Sequence, residues 1–88
     1  MHATDRAQCE TFARVIGRLS LEIQRLTREI PLRQGGLQEL ESRPPLDEGA
    51  IRGASREIRD ALDELRQAEN DLVQMEILFR MNCRRSTA

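Results

Sequence analysis

The stretch SRPPLD, residues 42–47, separates two long segments that both carry a helical pattern of apolar residues. Adjacent prolines cannot continue a helix, because each lacks a backbone N–H and crowds the preceding turn. Asp47 is a favourable N-cap for a new helix, and no proline follows Pro45. The stretch therefore predicts a turn at 43–46 between two helices.

Before this turn, apolar residues recur at alternating spacings of three and four, as in the core of a coiled coil. Asp5 is a candidate N-cap at the start of the pattern. Pro31 interrupts it, yet the register resumes in phase at Leu37, so we predict one helix over about 5–42, kinked near Pro31, rather than two helices. The two core positions hold Cys9, Ile16, Ile23, Ile30 and Leu37, and Phe12, Leu19, Leu26, Arg33 and Leu40.

After the turn, the same periodicity predicts a second helix over about 47–83. Alanine recurs at one of its core positions, and such small residues let two helix axes approach closely where the facing helix supplies bulky side chains. The two core positions hold Ile51, Ile58, Leu65, Leu72 and Phe79, and Ala54, Ala61, Ala68, Met75 and Asn82.

The two heptad patterns are compatible with an antiparallel pairing. Facing residues in such a pair have numbers with a constant sum, and a turn centred between Pro45 and Leu46 sets that sum at 91. We therefore predict an all-α fold: an antiparallel two-helix coiled-coil hairpin, one domain over 1–88, completed to a helical bundle by self-association or by a partner. The facing pairs then include Leu26 with Leu65, Ile30 with Ala61, and Cys9 with Asn82.

The charge of the chain disfavours two classes of partner. Its 14 basic and 15 acidic residues are interspersed and give a net charge of -1, so no strong field attracts nucleic acid or an anionic membrane. No apolar run approaches the roughly 20 residues that span a bilayer, and the pattern of a signal peptide is missing. We expect a cytoplasmic location, where Cys9 and Cys83 would stay reduced. Under oxidation the hairpin would bring them near enough for a bridge, with some fraying of the last turn.

No residue pattern indicates catalysis, a metal or a cofactor. His2 is the only histidine, and with Cys9 and Cys83 it would supply three separated ligands where structural zinc usually has four at close spacing. A group of carboxylates on the second helix alternates with arginines at spacings of three and four, which predicts exposed intrahelical ion pairs. Its members are Asp60, Asp63 and Glu64, with Arg56, Arg59 and Arg66.

Apolar residues outside the core positions suggest where a partner docks. They occur in the half of the hairpin far from the turn, and they make residues 72–81 apolar nearly all round, which is typical of a helix buried on every side. The extra residues are Val15, Leu21, Val73, Ile77, Leu78 and Met81, of which Val15, Val73, Ile77, Leu78 and Met81 are the predicted partner-binding residues.

These features predict a non-catalytic helical hairpin that binds another protein, or a second copy of itself, through this end. In size and organisation the chain resembles the small helical-hairpin co-chaperones of type III secretion needle subunits, which implies a bacterial co-chaperone. An adaptor or a small phage-borne inhibitor of a bacterial system fits the same features. The alternatives are a structural coiled coil that only self-assembles into a four-helix bundle and a nucleic-acid binder.

Overall fold

Two long helices account for nearly all of residues 2–83, the part of the chain described by the computed structural model, with side chains described from residue 6. Helix α1 runs His2–Ser42 and helix α2 runs Glu48–Cys83. The helices lie side by side in a ribbon with extents of 65 × 17 × 15 Å. The predicted all-α helical hairpin is confirmed, and its completion to a bundle stays a prediction.

The turn between the helices ends at the predicted cap. Asp47 Oδ1 accepts a hydrogen bond from the backbone N–H of Ala50 at 3.1 Å, and the N–H of Ile51 donates to the Asp47 carbonyl oxygen at 3.0 Å. The bond to the side chain satisfies a donor that the first turn of a helix otherwise leaves without a partner, and the bond to the carbonyl is the first backbone bond of the helix. Helix α2 therefore begins at Glu48, directly after its cap.

Helix α1 is longer at its start than the sequence indicated. It begins at His2, so Asp5 lies inside the helix and its predicted position as N-cap is wrong. The helix continues through Pro31, which is exposed, so water can reach the backbone carbonyl that proline leaves without a donor. A single helix across this site is confirmed, and a kink at Pro31 stays a prediction.

The core follows the predicted register. Leu26, only 2% exposed, forms a buried cluster with Ile30 and Ala61, against which Leu65 packs. This cluster contains the predicted pairs Leu26 with Leu65 and Ile30 with Ala61. The remaining predicted core residues are buried or half-buried, with the exceptions of Arg33 and Asn82.

Arg33, the one charged residue in the α1 core pattern, leaves the seam between the helices. Its guanidinium lies 3.2 Å from Glu57 of α2 and 3.7 Å from Glu29 of α1. The side chain thereby keeps its charge paired and partly in water, which avoids the cost of burying it. A charged residue is tolerated at this core position because the seam is only two helices wide.

Candidate docking surface

Three of the predicted partner-binding residues form one exposed row on the outer face of α2. Val73, Ile77 and Met81 are spaced by four, and their side chains are 54%, 49% and 73% exposed. Residues four apart on a helix lie one above another and form the ridges that pack into grooves of a neighbouring helix. We call this row the docking ridge.

The other two predicted residues lie beside the ridge rather than on it. Leu78 is 39% exposed, and Val15 of α1 is half-buried. By heptad position both belong to the same flank of the hairpin, next to the seam. They therefore extend the apolar surface toward α1 instead of adding to the outward row.

Behind the ridge, the opposite face of α2 packs on α1. Leu72, Met75 and Phe79 occupy core positions and are half-buried. This segment of α2 thus uses one face to hold the hairpin together and leaves another apolar face in water. A helix with that distribution is typical of a binding surface whose partner is not present.

The expectation that extra apolar residues occur only far from the turn is wrong. Leu32, Leu46 and Leu62 are also exposed, and Leu32 is the most exposed large apolar residue among the described residues. Leu46 lies in the turn, and Leu32 and Leu62 fall on opposite flanks by heptad position. Because they do not line up in a row, the docking ridge remains the longest apolar row on the outer surface.

Opposite charges characterise the two helices at the open end, which we define as residues 6–21 of α1 and 69–83 of α2. Here α1 is mainly basic and α2 mainly acidic. In the part of the chain with described side chains, these charged groups form no ion pair with one another, since every ion pair uses Arg25 or Arg33. The charged residues are Arg6, Glu10, Arg14 and Arg18 on α1, and Glu69, Asp71, Glu76 and Arg80 on α2.

A disulfide joins the two helices at the same end. Cys9 and Cys83 are bonded, with their Cα atoms 5.8 Å apart, so the expectation of reduced thiols is wrong for this structure. Cys9 Sγ also lies 3.9 Å from the carbonyl oxygen of Asn82, the residue predicted to face it. No fraying is needed, because α2 stays helical through Cys83, which is 4% exposed.

The middle of the hairpin carries the ion pairs, and they differ from those predicted. None joins Asp60, Asp63 or Glu64 to an arginine of α2; Glu64 instead lies 3.8 Å from Arg25 of α1. Arg25 also pairs with Glu29 at 2.9 Å and donates hydrogen bonds to both carboxylate oxygens of Glu22. The bonds from Arg25 lower the pKa of Glu22 below its ordinary value, and together with Glu29 they raise the pKa of Arg25.

Neither a metal centre nor a membrane span emerges from the described residues. No three of their His, Cys, Asp or Glu side chains come together in a way that would hold a metal ion. None of the described helical segments is both long and apolar enough to cross a bilayer. The side chain of His2 lies outside the described part of the chain, so the expectation that His2 forms no zinc site with Cys9 and Cys83 stays a prediction.

Comparisons of the chain with protein-family models, with curated proteins and with solved structures gave no match.

Proposed function

We propose that this protein is a non-catalytic binding module, a helical hairpin that docks on another protein through its open end. The observation that carries the proposal is the docking ridge, a row of three large apolar side chains that are each about half or more exposed. Burying such a row against a partner removes apolar surface from water, which favours association. A row spaced by four suits a helix that crosses α2 at an angle.

The charges around the ridge indicate which helix fits. Residues 69–83 carry three carboxylates, Glu69, Asp71 and Glu76, against one guanidinium, Arg80. A partner helix with an apolar row and basic flanks would match both the ridge and its acidic surroundings. We therefore propose an amphipathic, basic helix as the occupant of this surface.

The proposed role is to cover an apolar helix that another protein exposes, as a co-chaperone, an adaptor or a small inhibitor does. No step of this role requires a cofactor or a catalytic group. The alternative, a structural coiled coil that only builds a four-helix bundle, would use the same ridge but no other protein. Nucleic-acid binding has less support, because the basic residues of α1 and the acidic residues of α2 lie in the same end of the hairpin.

A site-specific photo-crosslinker tests the proposal in the cells that make the protein. The crosslinking amino acid is placed at Ile77 on the ridge and, as a matched control, at Asp63, which has the same heptad position two repeats earlier. We expect one discrete crosslinked protein from position 77 and none from position 63. Equal crosslinking from both positions, or none from either, would contradict the proposal.

A pair of substitutions tests whether the ridge is an interface rather than a core. Ile77→Asp, combined with the crosslinking amino acid at Met81 of the same ridge, should abolish the crosslinked species while leaving helicity nearly unchanged, because Ile77 faces away from α1. Leu62→Asp is the control, since Leu62 is similarly exposed but lies outside the ridge. If Ile77→Asp lowers the circular dichroism signal while Leu62→Asp does not, the ridge belongs to the fold instead.

The cytoplasmic location stays a prediction from the sequence. Disulfides persist mainly in oxidising compartments, so the Cys9–Cys83 bond counts against it. Alkylating the protein in intact cells before lysis, followed by mass measurement, distinguishes the two cases. Two alkyl groups per chain would support the cytoplasm, and an unmodified chain would place the protein in an oxidising compartment.

A further inference from the structure

We infer that the docking ridge is self-complementary, and that two copies of this hairpin pair ridge to ridge with their α2 helices antiparallel and a twofold axis beside Ile77. The inference rests on the proposed function, because it uses the same ridge. It adds a resting form of the protein, in which a second copy covers the ridge until another protein displaces it.

The apolar side chains of the ridge are arranged symmetrically about Ile77. Val73 and Met81 lie four residues before and after it, so an antiparallel second copy places Val73 of each copy against Met81 of the other. The contact uses the same patch on both copies and therefore closes on itself. The ridge faces away from α1, so the second copy reaches all three side chains without touching α1 of the first.

The charged residues along one edge of the ridge also complement themselves across this axis. Glu76 and Arg80 lie on the same edge by heptad position, and the twofold axis sets that edge against itself in the reverse direction. Arg80 of each copy is then offset from Glu76 of the other by two residues, about 3 Å along the helix. In the part of a single hairpin with described side chains, neither residue forms an ion pair. Both are therefore available for two ion pairs between the copies.

The opposite edge of the ridge brings no like charges together. Its residues Gln67, Gln74 and Leu78 are uncharged, and the same axis sets this edge against itself. The nearest carboxylate on that side, Asp71, accepts a hydrogen bond from Gln67 of its own helix at 3.0 Å. Both edges of the ridge thus allow a second copy to approach.

The contact between two ridges is short. From Val73 to Met81 the ridge extends about 12 Å along the helix at 1.5 Å per residue. An interface of that length is smaller than those of obligate dimers, so the pair should exchange rapidly. A basic partner helix would take the same apolar row and the same carboxylate of Glu76, so the second copy and the partner exclude each other.

Exchanging the charges at 76 and 80 tests the dimer. We expect the wild type to dimerise in sedimentation equilibrium at low salt. Glu76→Arg alone and Arg80→Glu alone each bring like charges together, so each should raise the dissociation constant of the dimer about tenfold. The double variant Glu76→Arg, Arg80→Glu restores both pairs of opposite sign and should dimerise like the wild type. The control is Arg59→Glu, at the heptad position of Arg80 three repeats earlier, and it should also behave like the wild type.

Disulfide trapping tests the position of the twofold axis. Under mild oxidation Ile77→Cys should form a crosslinked dimer by itself, because residue 77 of each copy lies beside the axis. Val73→Cys and Met81→Cys should crosslink efficiently only when the two variants are mixed. The matched control, Asp63→Cys, has the heptad position of Ile77 two repeats earlier and should remain monomeric.

A monomeric wild type, or a double charge variant that stays monomeric although it is helical and disulfide-bonded, would overturn the inference. Photo-crosslinking of another protein at Ile77 in cells would in that case still support the proposed function. Conversely, dimers of the purified protein together with a cellular crosslink at Ile77 of only twice the chain mass would support the inference and overturn the proposed function.

Discussion

The middle and the open end of the hairpin are held together in different ways. In the middle, residues 22–33 of α1 and 57–68 of α2 contain five of the six buried apolar residues and all the ion pairs of the described residues. At the open end, Cys83 is the only buried one among the described residues, the core positions other than Asn82 are half-buried, and a covalent bond joins the helices. The two regions therefore have different roles. Side-chain packing in the middle maintains the fold, whereas the disulfide-bonded open end leaves apolar surface exposed.

Removing the covalent bond should give the largest loss of stability. The bond joins residues 74 apart in sequence, and closing a loop of that size lowers the entropy of the unfolded chain by an amount worth about 4 kcal/mol. Urea unfolding of the double variant Cys9→Ser, Cys83→Ser against the oxidised protein measures it. In the double variant, amide exchange should accelerate more at 72–83 than at 57–68. Uniform acceleration would contradict the claim that the two regions are held together differently. A reducing agent should leave the double variant unchanged.

Truncating a side chain of the buried cluster should give the second-largest loss of stability. Leu26→Ala removes a side chain that is 2% exposed and should lower the free energy of unfolding by about 3 kcal/mol, the loss including the cavity it leaves. Leu19→Ala is the matched change at the same heptad position of the open end, where the side chain is half-buried, and should cost clearly less. Both are measured by urea denaturation with the disulfide intact. Equal losses would mean that packing is uniform along the hairpin.

Replacing a glycine by alanine should raise the stability of the hairpin, whereas the two preceding changes lower it. A Cβ atom at Gly53, near the turn, would meet nothing within 4 Å, so Gly53→Ala should stabilise the hairpin by about 1 kcal/mol through helix propensity. A Cβ atom at Gly17, at the open end, would also meet nothing within 4 Å, so Gly17→Ala should stabilise the hairpin similarly. Thermal melting of both variants with the disulfide intact measures the two effects. A lower melting temperature for Gly17→Ala would show that the outer face of α1 is packed closely at this position.

The smallest expected effect is the pH dependence of the middle. Because Arg25 donates to Glu22, the pKa of Glu22 in the folded chain lies below its ordinary value of 4.5. The resulting stabilisation is present above that ordinary value and is lost as the pH falls through the lowered pKa of the folded chain. Urea midpoints at pH 7 and pH 3 should therefore differ more for the wild type than for Glu22→Gln. The effect is small because the pair is exposed and solvent-screened.

The register of the hairpin could be predicted because it depends on one local event. Two prolines set the turn, and two heptad patterns that each stay in phase then determine which side chains meet, as the Leu26, Ala61 and Leu65 contacts confirm. The start of α1 could not be predicted in the same way. Asp5 is chemically suited to a cap, but residues that tolerate helix extend the helix beyond it to His2.

The ion pairs and the state of the two cysteines could not be predicted correctly from the sequence either. Asp60 and Asp63 each have an arginine four residues before them on α2, Arg56 and Arg59, yet no ion pair joins them among the described residues, because an exposed pair gains little energy. Glu64 has no arginine three or four residues away on its own helix, and its carboxylate lies near Arg25 of α1 instead. The expectation for the cysteines relied on an assumed compartment, whereas the hairpin geometry alone places them within bonding distance. Exposure of Val73, Ile77 and Met81 follows from their heptad positions; the identity of a partner does not.

The Cys9–Cys83 bond also changes the structural role of the turn. Together with the peptide chain between them, the two cysteines close a covalent ring, in which the turn at 43–47 is one of two connections between the helices. A proteolytic cut in that turn would open the ring without releasing either helix, because the bond would then serve as the linker. Such a nicked molecule should retain the buried cluster and the docking ridge, and it should separate into two chains only after reduction. The hairpin thus has two closures, and either one alone keeps its helices tethered.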